Sequence, residues 1–300
     1  MGTATNGKHT GGNYYLTGVS NLLVDYHIHP EYSIDAQPHG IGEYCRMAVK
    51  MGLQEICFTP HFEVDPRRRH LDWFVRLNGR MVAMESLNWV EQFFKDIDTA
   101  KKEYRDLLTV RAGLEVGYEP GQENAIENIL NAYPFDFVLG SIHCMEHIAI
   151  SSRSECRQYF QGKDPLQVCR DYYAIMDKAV ETGLFDCMAH LDLYRRYGQL
   201  FYGDKINKCH ARLVEPVFSK MAAQNIALEI NTSSRRRGLK QFHPSEPLFQ
   251  EAVRCGINKF TVGSDAHKLG ELGDGISDAV NFLKDYDFKP TTYKLRHPVE

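Results

Sequence analysis

Histidine and carboxylate side chains recur at the ends of short apolar runs along this 300-residue chain. Asp25-Tyr26-His27-Ile28-His29 closes the first run, His61 the second, Glu115 the third and His143 the fourth. His190 and Asp192 follow the fifth run, and Asp265 and His267 follow the seventh. Only the sixth lacks such a group, ending in Asn231-Thr232-Ser233. Imidazole nitrogen mixed with carboxylate oxygen is a donor set for Zn, Fe or Mn. A single His-x-His pair proves little: 13 histidines in 300 residues give about 0.6 such pairs by chance, as 300 × (13/300)². In a strand, residues i and i+2 share a face, so His27 and His29 can grip one ion. The recurrence at six run ends is what carries the metal reading.

The runs that must position these groups are Leu22–Tyr26, Leu53–Thr59, Val110–Val116, Phe135–Ser141, Leu184–Ala189, Ile226–Ile230 and Lys259–Gly263. They are near-continuously apolar, as parallel strands covered on both faces are. Helix-like patterns lie between them, among them Gly42–Met51, Ser86–Leu108, Leu166–Thr182 and Asn207–Gln224. Gly52, Gly183, Asn225 and Gly256 stand where helices should end. Alternation of this kind predicts βαβ units around a parallel sheet, and seven strands suit a barrel. Parallel α/β barrels place their active sites at the C-terminal strand ends, where the loops converge. Residues 62–85, with Arg67-Arg68-Arg69, read as an insertion or lid, 144–165 as a second excursion, and the tail after Lys289 as irregular. The whole chain, 1–300, reads as one domain with a polar N-terminal tail over about 1–20.

Hydrophobic residues make up 43% and charged residues 25%, ordinary values for a globular protein. The net charge of −4, with Lys and Arg dispersed, offers no basic footprint for nucleic acid, and none is expected as a partner. The eight cysteines include no Cys-x-x-Cys pair, which argues against a zinc ribbon or a disulfide scaffold and predicts reduced thiols in the cytoplasm. Met1 to Asn13 has no apolar signal core, and no stretch approaches the roughly 18 apolar residues of a membrane span.

The motifs resemble those of the PHP family, the polymerase and histidinol phosphatase superfamily. The resemblance rests on Asp25-Tyr26-His27-Ile28-His29 with Ser33-Ile34-Asp35, Thr59-Pro60-His61, Gly113-Leu114-Glu115, Gly140-Ser141-Ile142-His143, Ala189-His190-Leu191-Asp192 and Gly263-Ser264-Asp265-Ala266-His267. It implies a distorted, TIM-like (β/α)7 barrel with two or three divalent metal ions (Zn, Fe or Mn). The implied metal shell is His27, His29, Asp35, His61, Glu115, His143, His190, Asp265 and His267, with Glu115 bridging two ions and Asp35 either ligand or proton-transfer group. Glu229-Ile230-Asn231-Thr232-Ser233, Pro244-Ser245 and His190-Leu191-Asp192-Leu193 before Arg195-Arg196-Tyr197-Gly198 most resemble histidinol-phosphate phosphatases. That likeness implies hydrolysis of L-histidinol phosphate in histidine biosynthesis, with Arg196 and Arg236 holding the phosphate. His243 would either read the substrate's imidazole or pack. Two departures concern the substrate: Gly117 stands where the family often has an acidic residue, and Cys144-Met145-Glu146-His147 follows His143 where an aromatic is common.

Phosphate monoesters hydrolyse so slowly that accelerations reach about 10²¹. Divalent ions lower the pKa of water toward about 7 and clamp attacking and leaving oxygens, while arginine's planar fork suits phosphate. Asp35 would protonate the departing alkoxide if it is not committed to metal. Competing readings are a nucleotide or nucleic-acid phosphoesterase, a phosphotyrosine phosphatase, and a non-catalytic metal-binding module. Arg67-Arg68-Arg69 reads as solvated loop charge, and His39, His70 and His297 as surface residues. His147 reads as a surface or supporting residue, and Asp192 as orienting a neighbour by hydrogen bonding. Trp89, Phe93, Phe94 and Ile97 read as core.

Overall fold

Apolar runs and helical patterns do resolve into seven βα units. The computed structural model describes residues 22–299; the polar tail expected over about 1–20 lies outside them. The strands are β1 (Val24–Ile28), β2 (Glu55–Phe58), β3 (Thr109–Gly117), β4 (Phe137–Ser141), β5 (Cys187–Met188), β6 (Ala227–Asn231) and β7 (Phe260–Gly263). They pair in parallel in chain order, and a short strand, His61–Glu63, adds to β3. The main connecting helices are α1 (Ile41–Met51), α2 (Asn88–Glu103), α3 (Glu123–Ala132), α4 (Pro165–Glu181), α5 (Glu215–Ala223), α6 (Glu246–Arg254) and α7 (Ile276–Lys284). The seam between β1 and β7 is thin: a single parallel bridge joins Ile28 to Ala266. Asp25 reinforces it, accepting from Ser264 N at 2.8 Å, Ser264 Oγ at 2.5 Å and Gly273 N at 3.0 Å. The result is a distorted (β/α)7 barrel.

The helices follow from their sequences. In α1, Ile41, Tyr44, Cys45 and Ala48 are buried at i, i+3, i+4 and i+7, one face of a 3.6-residue period. Gly52 ends it with φ 77°, its N–H capping Ala48 and Val49 carbonyls. In α2, Trp89, Phe93 and Ile97 are fully buried and Phe94 partly, as the aromatic face predicts. Replacing one such core aromatic by alanine costs about 3–5 kcal/mol. Asp164 caps α4 through Leu166 N and Gln167 N, with Pro165 fixing its first turn. Among the described residues no helix is long and apolar enough to cross a membrane.

Several expectations need correction. The helix expected over Asn207–Gln224 begins only at Glu215, because Pro216 fits a first turn and not an interior. β1 starts two residues later than the apolar run, so His27 lies inside the strand. The tail is ordered: Thr292–Lys294 and His297–Val299 form a hairpin. Its Tyr293 plugs the bottom of the barrel against Tyr26 and Phe137. Cys169, on α4, and Cys209 are joined as a disulfide with Cα atoms 6.0 Å apart, where the composition predicts reduced thiols; packing alone brings them within bridging range.

The 62–85 insertion carries the strand His61–Glu63, two short helical turns and a hairpin, Phe74–Leu77 with Arg80–Ala83. Arg68 is not solvated: it is buried, bonded to Asp72, to Glu155 at 2.6 Å and to His147 O at 3.0 Å, and so fastens the insertion to the 144–165 excursion. Arg76 reaches back to the carbonyls of Glu31, Ser33, Ile34 and Ala36, clamping the loop that carries Asp35.

Candidate metal centre

Six of the seven strand ends deliver His, Asp or Glu side chains to the same mouth of the barrel. Glu115, at the end of β3 and 1% exposed, stands at the middle. Its Oε2 lies 3.2 Å from His27 Nε2, 3.4 Å from His29 Nε2 and 2.9 Å from His61 Nδ1. Its Oε1 lies 3.2 Å from His143 Nε2 and 3.0 Å from His190 Nε2, and accepts from Ser141 Oγ at 2.6 Å. Beyond β7, Asp265 Oδ1 approaches His29 Nε2 at 3.5 Å and His267 Nδ1 at 3.3 Å. Asp35 sits at the exposed rim with Oδ2 3.1 Å from His267 Nε2 and 3.5 Å from His61 Nε2. All nine residues of the expected shell are therefore brought together.

Burial of so many ionisable groups is costly unless they are paired or hold metal. Here the pairing is incomplete: His27 Nε2, His29 Nε2, His61 Nδ1 and Glu115 Oε2 are buried and make no hydrogen bond of proper geometry. Atoms that converge within 3.5 Å without bonding one another are placed as ligands to a common centre are. Overlapping groups that could each hold an ion are His27, His29 and Asp265; His29, His61 and His267; and Glu115, His143 and His190. The donor set fits divalent Zn, Fe or Mn. Burial disfavours ionised Glu115, but His27, His143 and His61 hold its carboxyl well below the usual carboxylate range. Burial likewise opposes charge on His143, yet Glu63 and Glu115 push it up to about 10. His190 (φ 23°) and Asp265 (φ 53°) adopt left-handed backbone at strand ends, a strain of roughly 1–3 kcal/mol each that concentrates at functional sites.

The motif Glu229-Ile230-Asn231-Thr232-Ser233 carries the resemblance, but it gave Glu229 no role at the site. Glu229 lies mid-strand in β6 and its Oε1 is 2.6 Å from His27 Nδ1, while Oε2 accepts from His190 N at 2.8 Å. A carboxylate inside an otherwise apolar strand was the available signal. Glu63 was passed over; its Oε1 is 2.8 Å from His143 Nδ1.

A cavity of about 560 Å³ opens over this cluster, lined by Asp35, His61, His143, Arg196, Arg236 and Arg237 together with Phe74 and the ion-paired Arg68, Asp72 and Glu155. Arg196 stacks on Tyr197, 5.4 Å from its centroid, and its Nε is buried without a partner. Arg236 is more engaged, donating to Ser264 O at 2.8 Å and Asp274 at 3.2 Å. Arg237, beside it, is exposed on the same wall. His243 does not face this cavity. It is 1% exposed, and its Nδ1 is bound by Asp192, because backbone bonds with Asn231 turn the loop inward. Asp192 orients His243 and Arg195, at 2.6 Å, and not a strand-end ligand. His147 pairs with Asp65 at 2.8 Å, near Glu119 and outside the cavity lining.

The PHP domain model matches residues 25–233. A Deinococcus radiodurans relative named "Probable histidinol-phosphatase" is 31% identical over 277 residues, covering 91% of this chain and 97% of that one. The histidinol-phosphatase of Lactococcus lactis is 26% identical over 81% of this chain and 84% of its own. The barrel superposes on the crystal structure of histidinol phosphate phosphatase from Lactococcus lactis, complexed with zinc, L-histidinol and phosphate, with a TM-score of 0.74 at 22% identity, covering 94% of this chain and 100% of that one. This chain belongs to the PHP domain family, among relatives that bear the histidinol-phosphatase name.

Proposed function

We propose that the protein is a metal-dependent phosphomonoesterase that hydrolyses L-histidinol phosphate to L-histidinol and phosphate, in histidine biosynthesis in the cytoplasm. The observation that carries this is Glu115, flanked by five imidazoles at one mouth of the barrel, in a chain whose relatives are named histidinol-phosphatases. His27, His29, His61, Glu115, His143, His190, Asp265 and His267, with Asp35 at the rim, would hold two or three divalent ions. Those ions, when bound, would polarise the phosphoryl group and lower the pKa of water toward about 7. Arg196 and Arg236, joined by Arg237, neutralise the phosphate oxygens. Burial opposes ionised Asp35, but His61 and His267 hold its carboxyl well below the usual carboxylate range, so at the rim it serves as a ligand and not as the proton donor to the departing alkoxide.

The test is a steady-state comparison of histidinol phosphate with a generic aryl phosphate, before and after chelation. A kcat/KM strongly favouring histidinol phosphate, abolished by chelator, is the expected result. Equal values for both substrates would overturn the substrate and spare the phosphatase class.

A further inference from the structure

The parallel pairing of His61–Glu63 with the end of β3 sets His61 opposite Glu115, Phe62 opposite Val116 and Glu63 opposite Gly117. Alternate residues of a strand share a face, so Glu63 points to the same mouth as His61. The space it enters is left by its partner: a Cβ on Gly117 would lie 1.8 Å from Glu63 Oε2 and 2.5 Å from its Cδ. Passing over that bare position, Glu63 sets Oε1 2.8 Å from His143 Nδ1, while His143 Nε2 faces Glu115 at 3.2 Å. The imidazole is thus held from both ring nitrogens by carboxylates on neighbouring strands. Glu63 is 3.9 Å from His61 Nδ1 and sits among the groups that could themselves hold an ion, so ligand and support are the two roles to separate.

We propose that Glu63 is the positioning residue of His143, fixing the tautomer that keeps Nε2 free for the metal, and that Gly117 is a glycine because this carboxylate takes its side-chain space. The inference rests on the metal-centre reading above. A carboxylate accepting Nδ1–H orients the ring and raises its basicity as a ligand, and losing such a partner weakens metal binding about 10- to 100-fold. Gly117 matters only through Glu63: any side chain at 117 must displace it. The two positions form one device, joined through strand register.

The test uses the full chain as wild type, Glu63→Ala, Glu63→Gln, Gly117→Ala and the double variant Glu63→Ala/Gly117→Ala. Zinc content at saturation and zinc affinity by chelator competition are measured, with thermal melting as the folding control. Imidazole ¹⁵N shifts of the zinc form report the His143 tautomer. Glu63→Ala should weaken the loosest zinc about 10- to 100-fold, keep the saturating stoichiometry and scramble the tautomer. Glu63→Gln, whose amide oxygen still accepts from Nδ1, should lose less. Gly117→Ala should reproduce Glu63→Ala, and the double variant should be no worse than either. Wild-type affinity and tautomer in Glu63→Ala would overturn the proposal. So would loss of a whole ion at saturation in both Glu63 variants, which makes Glu63 a ligand, or additive effects of the two positions. If Gly117→Ala fails to fold, the alanine and glutamine variants at 63 decide alone. A wild type that takes up no zinc, manganese or iron would remove the underlying reading itself.

Discussion

The Glu229 carboxylate on β6 lies 2.6 Å from the Nδ1 of His27 on β1, passing over Gly263 of the intervening β7. Its second oxygen takes the backbone N–H of His190. One side chain thereby sets the ring of one strand-end histidine and the backbone of another. Glu229→Ala would leave a buried imidazole nitrogen and a buried amide unpaired. We expect a stability loss of roughly 2–4 kcal/mol together with weakened metal binding, read by denaturant unfolding and metal content. Unchanged midpoints and unchanged metal content would mean that Glu229 supports nothing.

Arg196 lines the cavity with its Nε unpaired, whereas Arg236 is anchored by carbonyls and Asp274. Arg196→Ala should lower kcat/KM for phosphate esters by about 10²- to 10³-fold, as loss of one charge-stabilising donor does. Arg236→Ala should also raise KM or lower kcat. Metal content should stay at the wild-type level in both; loss of metal would count against a clamp on the substrate.

Burial works against ionised Asp192, but Arg195 and the His243 ring hold its carboxyl well below the usual range. A depressed folded-state pKa stabilises above the unfolded value of about 3.9, and that stability is lost as pH falls further. Asp192→Asn should therefore cost roughly 3 kcal/mol at pH 7, with the gap to wild type closing below about pH 4. Urea midpoints at pH 7, 5 and 3.5 would show it. A gap that stays constant into acid would exclude the ion pair as its source.

Chelation should lower the melting temperature. A ligand at 100 times its Kd stabilises by about 2.7 kcal/mol, worth several degrees at this size. Readdition of zinc or manganese should restore it. An identical melting curve with and without chelator would mean that the strand-end cluster binds no ion.

What could be read in advance depended on how locally each role was encoded. His27, His29, Glu115 and Asp265 were legible because each stands at the end of an apolar run, and a barrel sends all run ends to one place. Glu63 was not, because its counterpart is a glycine, and the relation exists only through the register of His61–Glu63 on β3. Glu229 was visible as part of a motif, but its mid-strand position concealed its role beneath His27 and His190. His243 stayed open between substrate and packing because nothing in Phe242-His243-Pro244-Ser245 reveals the bridge to Asn231 that turns it inward. Arg68 looked like one of three solvated charges, and only the meeting of two excursions gave it Asp72 and Glu155.

The thin seam between β1 and β7 has a temporal side. Asp25 and Ser264, which stitch it, are 239 positions apart, and His27, His29, Asp265 and His267 flank them on either bank. A nascent chain leaving the ribosome carries its first donors long before the last exist, so the groups that include Asp265 or His267 cannot form until the seventh strand has emerged and docked. Completion of the whole donor cluster is thus tied to the final act of folding, and a prematurely terminated chain would lack one bank of it.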